Sequence, residues 1–380
     1  MKILLAPDSF KGSLSAPEVA AYLCEGILRV QPEAEVDMLP VADGGEGTCA
    51  AIVAALGGEI MKAEVTGPNG NRVEAFFGRA GDMAVIEMAA ASGLHLAPRN
   101  DLRPTKATTY GTGELMLRAL DAGCKKILLG IGGSATTDGG AGMAQALGVR
   151  LRDASGQELG PGGGELGRLA HVDVSGMDPR VAGCEWIVAS DVSNPLCGEN
   201  GCAAVYGPQK GCTPQDVALL DSSLRHYACI LREQLGKDVA DIPGAGAAGG
   251  LGAGLMAFCG ATLKSGVDTV LNAVAFDDRV AGADLVITGE GSIDYQSAFG
   301  KLPVGVARRA KAIARAPVVA VVGGIGRGAE AVYAHGIDAI ISIADKPMPL
   351  EEAIQNAPAL LRDTAERVMR LLRAGRKMPF

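Results

Sequence analysis

The chain has 380 residues, with 35 Lys and Arg against 43 Asp and Glu, a formal net charge of −8, and 48% hydrophobic residues. That length suggests about two domains, each large enough to bury a core without disulfides or metals. The acidic balance and the 4% aromatic content argue against nucleic acid as a partner, because phosphate binding needs a basic surface and base stacking needs aromatic platforms. A small-molecule substrate fits better.

The opening apolar run ends after five residues at Ala6-Pro7-Asp8, too short for a secretory signal, and reads as a first strand over Lys2 to Ala6. A helix should follow Ser15: Glu18 completes a capping box, Pro17 suits the first turn, and Val19, Leu23, Ile27 and Val30 recur at helical spacing. A second strand is expected at Val36 to Leu39, then the loop Asp43-Gly44-Gly45-Glu46-Gly47 and a helix to about Leu56. Glu59 to Val65 and Arg72 to Phe77 read as a hairpin around Pro68-Asn69-Gly70, with a short strand at Ala84 to Met88. Lys126 to Ile131 and Trp186 to Ala189 read as strands. Thr213-Pro214-Gln215-Asp216 opens a long helix that ends at Gly236. Toward the end, strands at Asp284 to Ile287, Val318 to Val322 and Ala339 to Ile343 alternate with helices at Val304 to Ile313, Ala329 to His335 and Pro358 to Leu372. Apolar strands alternating with amphipathic helices indicate an α/β fold with a parallel sheet covered on both faces. The two chain ends, residues 1–64 and 284–380, are therefore expected to form one doubly wound domain, with a mixed α/β domain inserted at 65–283.

Gly-rich Ile242 to Leu263 is the longest stretch without a charged side chain, but seven of its residues are Gly, so it reads as a buried loop and helix start and not as a membrane span. The nine Cys contain no C-x-x-C pair, which suits reduced thiols in a cytoplasm better than a disulfide framework or a zinc site. The four histidines, His95, His171, His226 and His335, stand apart from one another and from any Ser or Cys motif.

The Gly residues, 54 in all, cluster just after apolar runs. Two G-x-G-x-x-G segments, at 162–167 and 244–249, are about what chance provides at this Gly content, and neither clearly joins a strand to a helix as dinucleotide binding requires. Asp-Gly-Gly-x-Gly is more informative. It occurs at Asp43 to Gly47 and again at Asp138 to Gly142, against roughly 0.07 copies expected by chance. Such loops can leave backbone N–H groups converging on an anion at a helix start, or can be tight turns that permit close packing. The second copy extends a longer loop, Gly132-Gly133-Ser134-Ala135-Thr136-Thr137-Asp138-Gly139-Gly140, whose hydroxyls and carboxylate could cradle a polyphosphate and its magnesium.

Other candidates stand at strand ends. Asp191 follows Trp186 to Ala189, where open α/β sheets bind ligands, and could accept the proton of a substrate hydroxyl; an Asx-turn before Pro195 is the structural alternative. Glu290, in Thr288-Gly289-Glu290-Gly291-Ser292, is a hard oxygen donor suited to magnesium. Lys11, after Asp8 and Ser9, could hold a carboxylate or a transferring phosphoryl group. Lys210 and Lys301 are weaker versions of the same case. No G-x-x-x-x-G-K-[ST] and no G-x-S-x-G occurs. Phosphoryl transfer uses what is present: Gly-rich loops, hydroxyls, lysines and carboxylates.

Taken together, Ala6-Pro7-Asp8-Ser9-Phe10-Lys11-Gly12-Ser13, Ala42-Asp43-Gly44-Gly45-Glu46-Gly47, Gly132 to Gly140, Tyr206-Gly207-Pro208-Gln209-Lys210-Gly211 and Thr288-Gly289-Glu290-Gly291-Ser292 resemble the class I bacterial glycerate kinases. The motifs stand in the family's order and span essentially the whole chain. The resemblance implies a two-domain α/β architecture with a Rossmann-like domain, and ATP- and magnesium-dependent phosphorylation of D-glycerate. It further implies a cytoplasmic enzyme of glycolate, glyoxylate or aldarate breakdown. The 2-phospho product is the one associated with bacterial members, although 3-phosphoglycerate has also been attached to the family name.

On residue chemistry, Asp191 is assigned as base and Lys11 as the neutralising cation, with the active site in the cleft between the two domains. Asp8, Ser9, Asp43 and Lys210 are assigned to glycerate. Gly132, Gly133, Ser134, Thr136, Thr137, Gly139, Gly140 and Lys301 are assigned to the phosphates of ATP, and Asp138 and Glu290 to magnesium. A dehydrogenase, a non-catalytic hydroxy-acid sensor and a kinase for another small sugar acid are the rival readings.

Overall fold

The computed structural model describes residues 1–98 and 100–375. In chain order its strands are β1 (Lys2–Pro7), β2 (Glu35–Met38), β3 (Glu59–Thr66), β4 (Arg72–Ala80), β5 (Met83–Glu87), β6 (Lys126–Gly130), β7 (Arg150–Asp153) and β8 (Leu169–Asp173). There follow β9 (Glu185–Ala189), β10 (Thr262–Lys264), β11 (Leu285–Gly289), β12 (Ser292–Ile293), β13 (Val318–Val322), β14 (Gly324–Ile325) and β15 (Ala339–Ser342). The chain divides into two units, the first holding Met1–Asp43, Ala50–Gly57 and Val267 onward, the second Gly44–Cys49 and Gly58–Gly266.

In unit 1 the apolar runs of β1, β11 and β13 are buried almost end to end, as strands covered on both faces must be. They pair in parallel in the order β15-β13-β11-β1-β2. Ile3 and Leu5 face a core shared with Val19, Leu23 and Ile27 of the helix Ala16–Leu28 and with Leu361 and Ala365 of the helix Leu350–Gly375. The order reverses at β1, which has β2 on one side and β11 on the other; that switch point is where open α/β sheets leave a crevice at the strands' carboxyl ends.

Unit 2 carries a six-stranded sheet ordered β10-β9-β6-β5-β4-β3, parallel from β10 to β5 and antiparallel from β5 to β3. The antiparallel β7–β8 pair was not anticipated from the sequence. The long helix Pro214–Leu235 has its Thr213 cap and Gly236 stop where the capping residues indicate, and it buries Leu220, Leu224, Tyr227 and Leu231.

Three boundaries differ from expectation. β3 lies in unit 2, because it pairs with β4 along its entire length. Residues from Val267 lie in unit 1, where Arg279 pairs with Asp37 and Arg308 with Asp268. Gly44–Cys49 packs in unit 2 although the chain on either side of it belongs to unit 1. The last helix also begins earlier than Pro358 and runs through it. Proline cannot donate to the carbonyl four residues back, and the Ser13 hydroxyl donates to that carbonyl, Ile354 O, at 3.4 Å.

The stretch 242–263 is broken into the helix Ala247–Gly254, a π-turn at Leu255–Cys259 and β10. No helix among the described residues is long and apolar enough to cross a membrane. All nine cysteines are free.

The helices Ala16–Leu28 and Leu350–Gly375 meet at Gly26, where an added Cβ would overlap Arg362 O and lie 2.8 Å from the Ala365 Cβ. Alanine normally gains about 1 kcal/mol over glycine in a helix. Here the overlap should reverse the sign, with Gly26→Ala destabilising by about 1–3 kcal/mol. Gly183, whose Cβ position is open, should accept alanine without loss. Urea midpoints of the two variants check this, and an unchanged midpoint for Gly26→Ala would show that the helices can separate at little cost.

Candidate active site

Unit 1 brings together Asp8, Lys11, Asp43, Glu290 and Lys301. The backbone N–H of Asp8 donates to Gly289 O at 2.8 Å, so the residues that follow β1 and β11 are neighbours at the switch point. Asp8 is only 5% exposed, and its Oδ1 accepts the Ser9 N–H at 2.6 Å. Burial, reinforced by the negative charge of Asp43, pushes its carboxyl up to about 7, against the opposing pull of Lys11. Glu290 is also raised, chiefly by burial, while the Ser297 hydroxyl donating to its Oε1 at 2.7 Å and the charge of Lys301 work the other way. Lys11 is 62% exposed and pairs with Asp43 at 3.7 Å; Lys301 pairs with Asp294 at 3.8 Å. Lys301, expected beside the phosphate loop, thus belongs with the carboxylates of unit 1.

Unit 2 holds the long Gly-rich loop. Gly132 and Gly133 are exposed, but Ser134 to Gly140 are buried. The expectation that Thr136, Thr137, Gly139 and Gly140 present an open phosphate cradle is therefore corrected. The Gly139 N–H donates to Gly249 O and the Gly140 N–H to Asp138 Oδ1, so neither is offered to an anion. The hydroxyls of Thr136 and Thr137 are buried without a partner. Close packing explains the glycines: a Cβ at Gly139 would lie 2.8 Å from the Tyr227 ring, and one at Gly142 would lie 2.1 Å from Thr108 Oγ1.

Asp138 does not fit the role of magnesium ligand. It is fully buried, and its carboxylate accepts from Thr109 N–H at 2.8 Å, Thr109 Oγ1 at 2.9 Å, Gly140 N–H at 3.1 Å and Gly142 N–H at 3.2 Å. It fastens the loop to the start of the helix Tyr110–Asp121. Burial nevertheless raises its carboxyl above the ordinary range.

Lys210, expected at the substrate, is 2% exposed and lies under the same loop, donating from Nζ to Ser134 Oγ at 2.8 Å and to Thr136 O at 2.6 Å. Desolvation lowers it to about 8. Asp191 is exposed past the end of β9 and accepts the Gly266 N–H at 3.1 Å.

One residue escaped the sequence reading. Glu87, the last residue of β5, is buried and accepts the N–H groups of Gly47 at 3.1 Å and Cys49 at 2.8 Å, securing the first Asp-Gly-Gly-x-Gly loop. The signal was available: an acidic residue ending an apolar strand, the same pattern that drew attention to Asp8 and Asp191.

Among the described residues no three His, Cys, Asp or Glu side chains form a group that could hold a metal by themselves. Magnesium seldom needs such a cage, since it commonly takes one or two carboxylates and completes its shell with phosphate oxygens and water. Glu290 with Asp43 suits that mode, because each lies in the field of the other and a cation would relieve the repulsion.

Residues 3–373 match the Glycerate kinase family. The chain is 53% identical over 368 residues to a glycerate kinase of Halalkalibacterium halodurans, covering 96% of this chain and 97% of that one. It is 50% identical over 359 residues to the glycerate 2-kinase of Escherichia coli, covering 94% of each. A crystal structure from Salmonella typhimurium LT2, described as glycerate kinase 2, superposes over 100% of both chains with a TM-score of 0.92 at 50% identity.

The raised carboxyl of Asp8 makes a stability prediction. A folded value of about 7 against 3.8 means that the folded state holds this proton more tightly, so the group's contribution is complete below about pH 4 and is lost as pH rises through 7. Asp8→Asn keeps the oxygen that accepts from Ser9 and removes the charge. In EDTA at pH 8 the variant should be more stable than the parent by about 2–4 kcal/mol, the gap closing toward pH 4. Urea denaturation at the two pH values measures it; equal stabilities at pH 8 would show that the ionised Asp8 costs the fold little.

Proposed function

Because the chain belongs to the glycerate kinase family, we propose that it transfers the γ-phosphoryl group of ATP to the 2-hydroxyl of D-glycerate, as a cytoplasmic enzyme with unit 1 as its Rossmann-like domain. The observation that carries this reading is the similarity along nearly the whole chain to the Escherichia coli protein named glycerate 2-kinase.

Phosphoryl transfer asks the protein mainly for positioning and for charge placed where the transition state needs it. Lys11, exposed and long enough to move, neutralises the glycerate carboxylate or the transferring group. Asp8, Ser9 and Asp43 take up glycerate's hydroxyls. Gly132, Gly133 and Ser134 meet the ATP phosphates, and Lys210 acts from beneath by holding Ser134 in place and supplying a buried positive charge. Glu290 with Asp43 would hold magnesium, which when bound offsets the charge of the phosphate oxygens.

The proton of the attacking hydroxyl passes to a carboxylate. Asp191 is the first assignment, since it is exposed just beyond a parallel strand's carboxyl end. A second assignment, Asp8, is favoured by its value of about 7, near the optimum for a base at neutral pH.

Phosphorus NMR of purified protein with ATP, magnesium and D-glycerate should give a 2-phosphoglycerate signal. A 3-phosphoglycerate signal would keep the kinase and overturn the choice of hydroxyl, and no turnover in folded, ATP-binding protein would point to another acid. Asp191→Asn should lower kcat by about 10²–10⁴ with little change in ATP binding. Near-normal turnover there, with a large loss in Asp8→Asn, would move the base to Asp8.

A further inference from the structure

We propose that the open pocket of unit 2 lined by Leu94, His95, Ala97, Pro98, Leu102 and Gln209 receives the adenine base of ATP. This rests on the kinase reading and adds to it the place of the nucleoside.

The pocket adjoins the glycine turn proposed to meet the phosphates. The Leu94 N–H donates to Gly133 O at 2.9 Å, and Gly93 pairs with Ser134 in a short β-bridge, so one wall of the pocket is joined directly to the exposed Gly132–Gly133 turn. Gln209, on another wall, immediately precedes Lys210, whose ammonium holds Ser134 and Thr136. The pocket therefore begins where the proposed phosphate contacts end, and both are fixed by the same local hydrogen bonds.

Its size and lining suit a nucleobase. The pocket encloses about 680 Å³, within the usual range for small-ligand sites. Leu94, Ala97, Pro98 and Leu102 supply apolar surface for the faces of a flat heterocycle, and the His95 imidazole can stack on one. The Gln209 side-chain amide carries a donor and an acceptor together, matching the amino group and adjacent ring nitrogen on adenine's edge. Glycerate, a three-carbon acid with no apolar face, would gain nothing from such a lining. Inorganic polyphosphate would engage the glycine turn and leave the pocket unused.

The test separates base from phosphate. His95 and Gln209 are both exposed, so the double variant His95→Ala/Gln209→Ala should fold normally, checked by an unchanged melting temperature without ligand. Calorimetric titration of the full chain with ADP and, separately, with inorganic tripolyphosphate reads the two contributions. The double variant should bind ADP about tenfold more weakly while tripolyphosphate affinity stays within about twofold. In turnover, KM for ATP should rise, with KM for glycerate and kcat at saturating ATP little changed. ADP affinity equal to the parent's, or equal weakening of ADP and tripolyphosphate, would overturn the assignment while the kinase stands. Failure of the parent protein to bind ADP at all would overturn both readings.

Discussion

The arrangement of unit 2 depends on one buried carboxylate. Asp138 lies where no water reaches it and accepts hydrogen bonds from two segments, the turn that follows its own residue and the Thr109 entry to the helix Tyr110–Asp121. A carboxyl group in such a place is tolerated only with excellent hydrogen bonding. That bonding comes from Thr109 and from the backbone N–H groups of the glycine turn, while Lys210, itself buried, holds the loop's other limb through Ser134 and Thr136. Each group bears the mark of its desolvation, the acid raised and the amine lowered to about 8. The two groups hold different limbs of the loop, and together they fix which part is closed and which part, Gly132–Gly133, reaches solvent.

Unit 1 follows the opposite electrostatic rule. At the switch point of its sheet, Asp8, Asp43 and Glu290 repel one another, and burial of Asp8 and Glu290 aggravates the repulsion that Lys11 and Lys301 only partly offset. Like charges held together at a strand-end crevice oppose folding, and they persist because β1 and β11 are locked in parallel register just before them. Structural ion pairs can perturb a carboxyl too, but they lower it, as at Asp178 beside Arg180. A pair of raised carboxyls in one crevice marks a place built for a cationic or proton-bearing visitor.

Much of the framework was legible from periodicity because its signals are local. The buried strands β1, β11 and β13 are continuous apolar runs, and the helix Pro214–Leu235 announces both of its ends. Asp8 and Glu290 were identifiable for the same reason, as acids directly after such runs. The Gly-rich loop was not, since a nest open to an anion and a turn packed against protein have the same sequence. What decides between them here is contributed from far along the chain: Tyr227 against Gly139, and Gly249 O accepting the Gly139 N–H. The role of Asp138 was misread by the same route, because an acid among glycines and hydroxyls resembles a metal ligand until Thr109 is brought beside it.

The titration of Lys210 connects that scaffold to chemistry. Its folded value lies below its ordinary one, so between about pH 8 and 10.5 the folded state has already released a proton that the unfolded chain retains, and this group's contribution to stability grows as pH rises through that window. The neutral amine can still donate to both Ser134 and Thr136, so the loop need not move when the proton leaves. What is lost is the positive charge beneath Ser134 and Thr136. Support for the loop and attraction for an anion thus reside in one side chain, and only the second is lost as pH rises through about 8.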